Sequence, residues 1–435
     1  MNRYSNPFWL AVSFVVMFVV WPCITYAENW PEFRGPGGQG HAGDAALPIE
    51  WDVTTNVAWK QAIPGKGWSS PIFYDGRLYV TTSVSIERAD SESADNADSE
   101  AAENAAPLEQ AMQLHCLDAS SGEFLWESEV FRKDMGAIHS KNSHASPTPI
   151  TDGKRLYVHF GPYGTAALDF DGEITWSIQD NSYDPVHGTG GSPILSDGLL
   201  VFSCDGGDQA YVVALDCATG EACWKTDRPA AESHQFSFST PLEITVDGGR
   251  QIVSPGSHGV SSYDAKTGRE IWRVNYPNKW SIVPRPVLAH GLIFVCTGYS
   301  GPASLLAIRP DGTGDVTETH VQWQTEENVP YIPSPIVVAD SIYMVSDAGV
   351  ASCRDARTGD LHWRERLGGH FSSSPLFAND KIYFQSEEGE CVVIQVGHTY
   401  QELRRNSLDE LTQASYAVGQ GAIFIRTLQQ LYRIN

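Results

Sequence analysis

The chain has 435 residues, of which 42% are apolar and 11% aromatic, so it has enough hydrophobic side chains for a large core and is not disordered as a whole. Its formal net charge of −24 opposes binding to nucleic acids and to anionic lipid surfaces, because both require a basic footprint. Length alone would suggest more than one domain, unless internal repeats build the whole chain into one.

The first residues predict an export signal. An apolar run extends from Phe8 to Trp21 behind Arg3, and Thr25-Tyr26-Ala27 follows as a small-residue cleavage site. We expect residues 1–27 to be removed near Ala27, with the mature protein in the periplasm or cell envelope and no transmembrane span left in it. A retained membrane anchor is the alternative, although the run is short for a transmembrane helix.

Two segments beside the repeats have unusual compositions. Residues 28–56 contain the Gly/Pro-rich run Gly35–Gly40, which lacks the Lys-Ser/Thr of a phosphate loop and predicts an arm in front of the folded domain. Residues 85–110 are rich in Ala, Ser, Asp, Glu and Asn, a composition typical of disorder. We expect this acidic insert to be a solvated loop of the first repeat, with a gate or partner tether as the alternative.

One unit recurs along the rest of the chain at intervals of about 45 residues. It opens with a proline, passes through two apolar runs joined by a turn of Asp-Gly type, and closes with a Gly followed four residues later by a Trp. The opening prolines are Pro71, Pro147, Pro193, Pro241, Pro286, Pro335 and Pro375. The glycines that stand four residues before a Trp are Gly122, Gly172, Gly220, Gly268 and Gly359. The tryptophans that we expect to pack between neighbouring units are Trp59, Trp126, Trp176, Trp224, Trp272, Trp323 and Trp363.

The unit predicts one four-stranded antiparallel blade of a β-propeller. Pairs such as Asp75-Gly76 and Asp197-Gly198 favour tight hairpins between strands A and B, and the β-branched runs favour strands over helices. A proline cannot donate to a strand ladder, so it fits the start of strand A at the central channel. Seven units are complete, whereas the eighth, residues 414–435, supplies only strands A to C. We expect Asn56–Lys60, a Trp strand without strands before it, to complete the eighth blade and close the ring.

The repeat resembles the pyrroloquinoline-quinone (PQQ) repeat, as seen in Ala214–Trp224 (Ala-Leu-Asp-Cys-Ala-Thr-Gly-Glu-Ala-Cys-Trp), and the resemblance covers residues 57–435. It implies an all-β, eight-bladed propeller of one of two kinds: quinoprotein dehydrogenases of alcohols and sugars, or non-catalytic propellers similar to the outer-membrane assembly factor BamB. The chain has no adjacent cysteine pair and no calcium-binding motif of the dehydrogenases, so the resemblance favours the non-catalytic branch.

We therefore expect a monomeric binding or scaffold protein of the cell envelope, without a cofactor, whose partner is an envelope protein, a peptide or a glycan. The alternative is an oxidoreductase that uses PQQ with calcium on alcohols or sugars.

Blade topology places candidate binding residues on one face. In a four-stranded meander the B–C loops and the D-to-A crossings share one face, and the A–B and C–D turns lie on the other. The crossings are rich in histidine and aromatic residues, which would ring the mouth of the central channel. The candidate ligand- or partner-binding residues are Trp68, His139, Lys141, His144, His187, His234, Trp280, Arg285, Tyr331 and His370. The alternatives are polar loops that only cap the blades, or a metal site among the five histidines.

The cysteines predict no metal site. The seven that follow residue 27 match no zinc-binding spacing, and most lie in strand patterns as small buried hydrophobes. Cys217 and Cys223 flank one turn and are the only pair placed for a local disulfide, a pairing that the sequence leaves open.

Overall fold

The computed structural model describes Met1 and residues 29–86, 108–136, 138–229 and 233–435. The expected signal peptide, apart from Met1, and the central part of the acidic insert lie outside the described residues. The regular secondary structure of the described chain is almost entirely β-strand, arranged in eight sheets. Within it, no helix has the length and apolar character needed to cross a membrane.

Each sheet is one antiparallel blade whose strands follow one another in space as in sequence. The first strand of the chain, β1 (Val57–Ala62), belongs to the last blade. Blade 1 contains β2 (Ile72–Tyr74), β3 (Arg77–Ser85), β4 (Leu108–Asp118) and β5 (Phe124–Met135). Blade 2 contains β6 (Ile150–Thr151), β7 (Leu156–His159), β8 (Thr165–Leu168) and β9 (Ile174–Ile178). Blade 3 contains β10 (Ile194–Ser196), β11 (Leu199–Asp205), β12 (Ala210–Asp216) and β13 (Ala222–Asp227).

The remaining blades repeat the arrangement. Blade 4 contains β14 (Leu242–Val246), β15 (Gly249–Gly256), β16 (Gly259–Asp264) and β17 (Glu270–Asn275). Blade 5 contains β18 (Val287–Ala289), β19 (Leu292–Cys296), β20 (Leu305–Ile308) and β22 (Val321–Thr325), with β21 (Gly314–Asp315) and the helix α1 (Thr317–His320) inserted before its last strand. Blade 6 contains β23 (Ile336–Val338), β24 (Ser341–Val345), β25 (Val350–Asp355) and β26 (Leu361–Arg366). Blade 7 contains β27 (Leu376–Ala378), β28 (Lys381–Gln385), β29 (Glu390–Gln395) and β30 (Glu402–Ser407), and blade 8 contains β31 (Ala417–Gly419), β32 (Ala422–Arg426), β33 (Gln430–Ile434) and β1. Short 3₁₀ turns occur at Pro36–Gly38 and Gly161–Tyr163.

The ring closes as the sequence predicts. Strand β1 pairs antiparallel with β33, so that Trp59 lies opposite Arg433 and Lys60 opposite Tyr432. Blade 8 therefore takes its outer strand from the N-terminal side of the chain, which joins the first and last blades. This pairing confirms the predicted all-β, eight-bladed propeller.

The Gly and the Trp of the repeat meet across the gap between neighbouring blades. A Cβ added to any of five motif glycines would lie 2.5 to 2.8 Å from an indole of the preceding blade. The contacts are Gly122 on Trp59, Gly172 on Trp126, Gly220 on Trp176, Gly268 on Trp224 and Gly359 on Trp323. The indole N–H then donates to a carbonyl of the same turn, for example from Trp176 to Cys217 at 3.0 Å. The glycine is needed for this close approach as well as for its positive φ.

A recurring aspartate holds that turn in place. In blade 3 the Oδ1 atom of Asp216 accepts the backbone N–H groups of Ala218 and Thr219, and its carbonyl accepts the N–H of Gly220. Asp118 and Asp355 make the same bonds in blades 1 and 6. The Asp-x-x-x-Gly spacing is therefore that of a side-chain-stabilised turn.

The structure corrects the start of blade 2. Strand β6 begins at Ile150, so the proline that opens this blade is Pro149 and not Pro147, as the sequence spacing indicated. The segment Ser146-Pro147-Thr148-Pro149 contains two Ser/Thr-Pro pairs that look alike locally. The contact with the next blade decides between them, because the N–H of Thr148 donates to Ser192 Oγ at 2.9 Å.

Blade 4 has a fifth strand. Strand β21 pairs in parallel with β17, with Trp272 opposite Gly314. This strand comes from the insertion that delays the Trp of blade 5. Trp272 is fully buried, and its indole N–H donates to Gln251 Oε1 of its own blade at 3.1 Å. The insertion with β21 thus occupies the position at which five other blades pack an indole on a glycine turn.

A ring of hydrogen bonds ties the inner ends of the blades together. In seven of the eight blades, the residue two positions before strand A donates its backbone N–H to the hydroxyl of the equivalent residue in the next blade, at 2.9 to 3.2 Å. The accepting residues, which we call the hydroxyl ring, are Ser70, Thr148, Ser192, Thr240, Ser334, Ser374 and Ser415. Blade 5 has Arg285 at this position, and its side chain instead donates through Nε to Pro241 O at 3.1 Å.

Residues 29–56 pack into the propeller and cross its central channel on the side of the A–B turns. Arg34 is 1% exposed and donates through Nη2 to Pro335 O in blade 6 at 2.7 Å. Backbone bonds of 2.7 to 3.0 Å join Trp30 to Phe73 of blade 1, Thr151 of blade 2 to Pro31, and Phe377 of blade 7 to Gly40. The predicted arm is therefore a plug that closes one end of the channel.

We expect two alanine substitutions at glycines of similar backbone conformation to have different costs. Gly220 has φ +78° and lies against Trp176, whereas Gly198 has φ +82° and no atom within 4 Å of an added Cβ. Both variants lose roughly 1 kcal/mol from the left-handed backbone, and Gly220→Ala loses about 1–3 kcal/mol more because the methyl group collides with the indole. Urea denaturation midpoints measure the difference, and equal midpoints for the two variants would contradict the wedge contact.

Candidate functional site

A cavity of about 800 Å³ opens on the face formed by the crossings and the B–C loops. Its volume lies in the range typical of small-molecule sites. Phe33, from the plug, closes its inner end, and all seven members of the hydroxyl ring border it. The cavity is therefore the part of the channel between the plug and the mouth face.

The structure brings six of the ten candidate residues together in the wall of this cavity. They are Trp68, His139, Lys141, His187, Trp280 and Tyr331. The other four, His144, His234, Arg285 and His370, are not part of the wall. Because crossings from different blades converge at the mouth, these residues meet although they are far apart in the sequence.

Aromatic rings form a belt along one half of the wall. His139 contacts His187 edge-on at 5.5 Å between ring centroids, and His187 contacts Phe236 at 5.2 Å. Further round, Trp280 shares two backbone hydrogen bonds with Tyr299, and Tyr299 stacks on Tyr331 at 4.5 Å. The wall also contains Trp68, Ser372 and Gln413, so that it offers both ring faces and hydrogen-bonding groups.

Tyr331 is held by two hydrogen bonds. Its backbone N–H donates to Asp347 Oδ2 at 2.7 Å, and its hydroxyl donates to Gly301 O at 2.9 Å. Burial raises the pKa of the Asp347 carboxyl above its ordinary value. The tyrosine ring is consequently fixed in orientation before any ligand arrives.

Lys141 forms an ion pair that spans part of the mouth. Its Nζ lies 3.1 Å from Glu387 Oε1, and Ser372 Oγ donates to the same oxygen at 2.6 Å. Lys141 lies in the crossing from blade 1 to blade 2, whereas Glu387 follows strand β28 of blade 7. The pair therefore links loops of blades that are not neighbours in the ring. Because half of the lysine side chain is exposed, the ion pair adds little to the free energy of unfolding.

Arg285 is placed differently from the sequence-based expectation of a mouth residue. Its side chain is 2% exposed and reaches the plug, where Nη2 lies 2.9 Å from Glu32 Oε2 and Nη1 donates to Phe33 O at 2.7 Å. Gly38 packs directly on the guanidinium, since an added Cβ would lie 2.0 Å from it. The side chain thus joins the hydroxyl ring to the plug rather than facing the mouth.

The other three candidates outside the wall are histidines with different surroundings. His234 is exposed and stacks on Trp280 at 4.3 Å, so it supports a wall residue. His370 is an exposed residue whose Nδ1 lies 2.8 Å from Glu388 Oε1. His144 is partly buried beside Tyr163, and burial lowers its pKa to about 4.

Sequence reasoning missed the residues at the inner end of the cavity. Phe33 belongs to the plug, which has no counterpart in the repeats, so repeat topology could not place it. Phe238 and the hydroxyl ring lie at or beside the starts of strands A. The recurring Ser or Thr before the opening proline was the available signal for the hydroxyl ring.

The described residues do not offer the donor set of a metal site. Across them, no three or more His, Cys, Asp or Glu side chains come together in a way that could hold a metal ion. The five candidate histidines therefore do not converge on one point. All seven cysteines of the described chain are free, with Cys217 buried and Cys223 exposed.

Comparison with known proteins gives one family. A family model described as outer membrane protein assembly factor BamB matches residues 101–224, 208–334 and 315–425. Proteins named outer membrane protein assembly factor BamB from Moranella endobia (strain PCIT) and Yersinia pestis are each 22% identical over 63% of this chain, covering 78% and 77% of their own lengths. Subunit 1 of methanol dehydrogenase from Methylobacterium organophilum is 30% identical over 30% of this chain, and the matched part spans only 23% of that subunit.

Solved structures agree on the architecture. BamB from Moraxella catarrhalis superposes with a TM-score of 0.57 at 12% identity, over 87% of this chain and 99% of that chain. Quinohemoprotein alcohol dehydrogenase from Comamonas testosteroni superposes with a TM-score of 0.64 at 10% identity, over 93% of this chain and 80% of that chain. At such identities the likeness shows the fold alone.

We expect acid to destabilise the protein through its buried histidines. His159 is buried beside Phe202 with Nδ1 at 2.8 Å from Thr165 Oγ1, and burial lowers its pKa to about 3. In the unfolded chain a histidine titrates near 6.5, so between pH 6.5 and about 3 the unfolded state binds more protons at this residue than the fold does. The free energy of unfolding should then fall by up to about 1.4 kcal/mol per pH unit for this residue.

Thermal melts at pH 7 and pH 5 measure this effect. The loss of Tm on acidification should be smaller in His159→Gln than in the unaltered protein, whereas His370→Gln, changed at an exposed position, serves as the control. An equal loss in the unaltered protein and in His159→Gln would show that His159 does not contribute.

Proposed function

We propose that this chain, which belongs to the PQQ-repeat family described as outer membrane protein assembly factor BamB, is a non-catalytic binding or scaffold propeller of the cell envelope. Its ligand or partner contacts the mouth face, where the crossings and the B–C loops surround the cavity. The partner is an envelope protein, a peptide or a glycan, as the sequence analysis suggests. The protein is exported and acts as a monomer.

The observation that carries this proposal is the convergence of aromatic residues at the mouth. Trp68, Trp280 and Tyr331 come from different crossings and line the same cavity. Exposed or half-exposed aromatic rings around a concave opening are typical of binding sites. The relatives named as assembly factors support a binding role, since their names describe assembly rather than a reaction.

One observation favours a second candidate, a PQQ-dependent oxidoreductase. Part of the chain is 30% identical to a methanol dehydrogenase subunit over 152 residues. The match is confined to a minor part of both chains, and the described residues lack a metal donor cluster. We therefore rank this candidate second.

Replacing mouth residues should abolish partner capture without destabilising the fold. We expect the double variant Trp68→Ala/Trp280→Ala to lose the proteins or glycans that the unaltered protein captures from an envelope fraction, with a nearly unchanged Tm because both indoles lie at the surface of the cavity. Arg285 is left intact, since it joins the plug to the ring. The matched control is Phe124→Ala/Leu361→Ala, which removes exposed apolar side chains from outer strands. Capture that survives the mouth variant would refute the proposed binding face.

If the protein were a PQQ-dependent oxidoreductase, it would oxidise alcohols or sugars when loaded with PQQ, and we expect no such turnover. The protein is incubated with PQQ and Ca²⁺, and reduction of an electron-accepting dye is followed with alcohols and sugars as substrates. Dye reduction proportional to the amount of loaded protein would reverse the ranking of the two candidates. A known quinoprotein dehydrogenase loaded in parallel is the positive control.

A further inference from the structure

We propose that a groove between blades 4 and 5 binds a neutral carbohydrate, at a site separate from the cavity at the mouth. The groove has a volume of about 550 Å³, in the range of small-molecule sites. Its walls are the end of β17, with the adjoining Tyr276, and strand β22, and buried Thr297 and Leu306 lie at its floor. The residues that line the groove are not among those that line the cavity at the mouth, so the inference goes beyond the proposed function.

The insertion in blade 5 builds part of this groove. In place of a short Asp-x-x-x-Gly turn, residues 309–320 leave β20, pair with the edge of β17 as β21, and return to β22 through α1. The insertion is fixed to blade 4 at Asn275, whose backbone N–H donates to Thr317 Oγ1 at 2.9 Å and whose Nδ2 donates to Asp315 Oδ2 at 2.8 Å. The wall that Asn275 and Thr317 form is therefore held in place by the protein itself.

The lining of the groove has no net formal charge. Among its described residues Lys279 is the one base and Glu318 the one acid. Nζ of Lys279 donates to the carbonyl oxygens of Ser300 and Pro302 at 2.7 and 2.6 Å, so most of its hydrogen-bonding capacity is used within the protein. The lining therefore favours neither an anion nor a cation, although the whole chain has a formal charge of −24.

Hydrogen-bonding groups that suit hydroxyls line this neutral space. Gln322 and Gln324 are exposed in β22, and neither side-chain amide has a hydrogen-bond partner among the described residues. Each amide can both donate and accept, as a sugar hydroxyl does. Thr297 is 1% exposed, and its Oγ1 accepts the N–H of Ser304 at 2.8 Å, while its proton has no acceptor in the described chain. A ligand hydroxyl at the floor would accept that proton.

Apolar side chains complete the site. Val274, Tyr276 and Leu306 line the groove and are 1% to 7% exposed. A sugar has C–H groups on the faces of its ring and hydroxyls at its edge, so it can contact the apolar and the polar parts of the lining together. An extended peptide suits the groove less, because it would add to a free strand edge, and the edge of β17 is already paired with β21.

Neutral disaccharides test the proposal on the full chain. We would titrate the protein with cellobiose, maltose and diacetylchitobiose by calorimetry, beside the neutral peptide acetyl-tetraglycine amide. At least one of the sugars should bind with a Kd of about 1 mM or below, whereas the peptide should not bind. The carbohydrate assignment is overturned if none of the three sugars binds at about 10 mM, or if the peptide alone binds.

Variants locate the binding in the groove. Gln322→Ala/Gln324→Ala should weaken the affinity for the bound sugar about tenfold, because two neutral hydrogen bonds are lost, with an unchanged Tm. The matched control is Gln61→Ala/Gln401→Ala, which removes two amides from the outer parts of blades 8 and 7 and should leave the affinity unchanged. Equal affinities in the two double variants would contradict the proposed site.

The mouth variant separates this inference from the proposed function. Trp68→Ala/Trp280→Ala should bind the sugar as tightly as the unaltered protein, and the groove variant should retain partner capture. Sugar binding that disappears with the two indoles would place the ligand at the mouth and refute the groove site. If the mouth variant instead keeps partner capture, the proposed binding face is wrong, and sugar binding that depends on Gln322 and Gln324 still supports the groove.

Discussion

Each of the eight blades contacts only its two neighbours. The ring can close only when the inner ends of the blades are held at a common spacing. The hydroxyl ring provides that constraint. A proline opens strand A in seven of the eight blades and biases the residue before it towards an extended backbone, and six of these seven residues donate their N–H to the next blade. In seven of the eight blades that residue is Ser or Thr, and the bond passes from blade to blade at nearly constant length. The central channel has its diameter because of these contacts, and the cavity is the space above them.

The outer parts of the blades are spaced by a different contact. An indole from one blade lies on the glycine turn of the next, and the two must be present together. Blade 5 departs from both rules. Arg285 interrupts the hydroxyl ring, and the insertion with β21 covers Trp272 in place of a glycine turn. The same sector helps to hold the plug, because Arg285 binds Glu32 and Phe33, in addition to the contacts that the plug makes with blades 1, 2, 6 and 7.

Repeat spacing in the sequence was sufficient to predict the blades, the Gly-Trp contact and the closing strand, because each of these follows from local patterns with a fixed period. It was not sufficient at residues whose role depends on the neighbouring blade. Pro147 and Pro149 look alike until the bond from Thr148 to Ser192 is known. In the sequence Arg285 resembles the mouth residues because it lies in a crossing, but its side chain binds the plug instead. Phe33 and Arg34 come from a segment without a repeat, and no periodic pattern indicates where such a segment packs.

The plug also determines how the molecule is oriented on any support that holds it by its N-terminal end. Asn29 lies at the A–B turn of blade 1, where its side chain accepts the N–H of Asp75. The chain therefore joins the disc from the side that carries the A–B turns. A surface to which that end is tethered would face the A–B turns. The mouth face would then point away from the surface, where a partner can reach it.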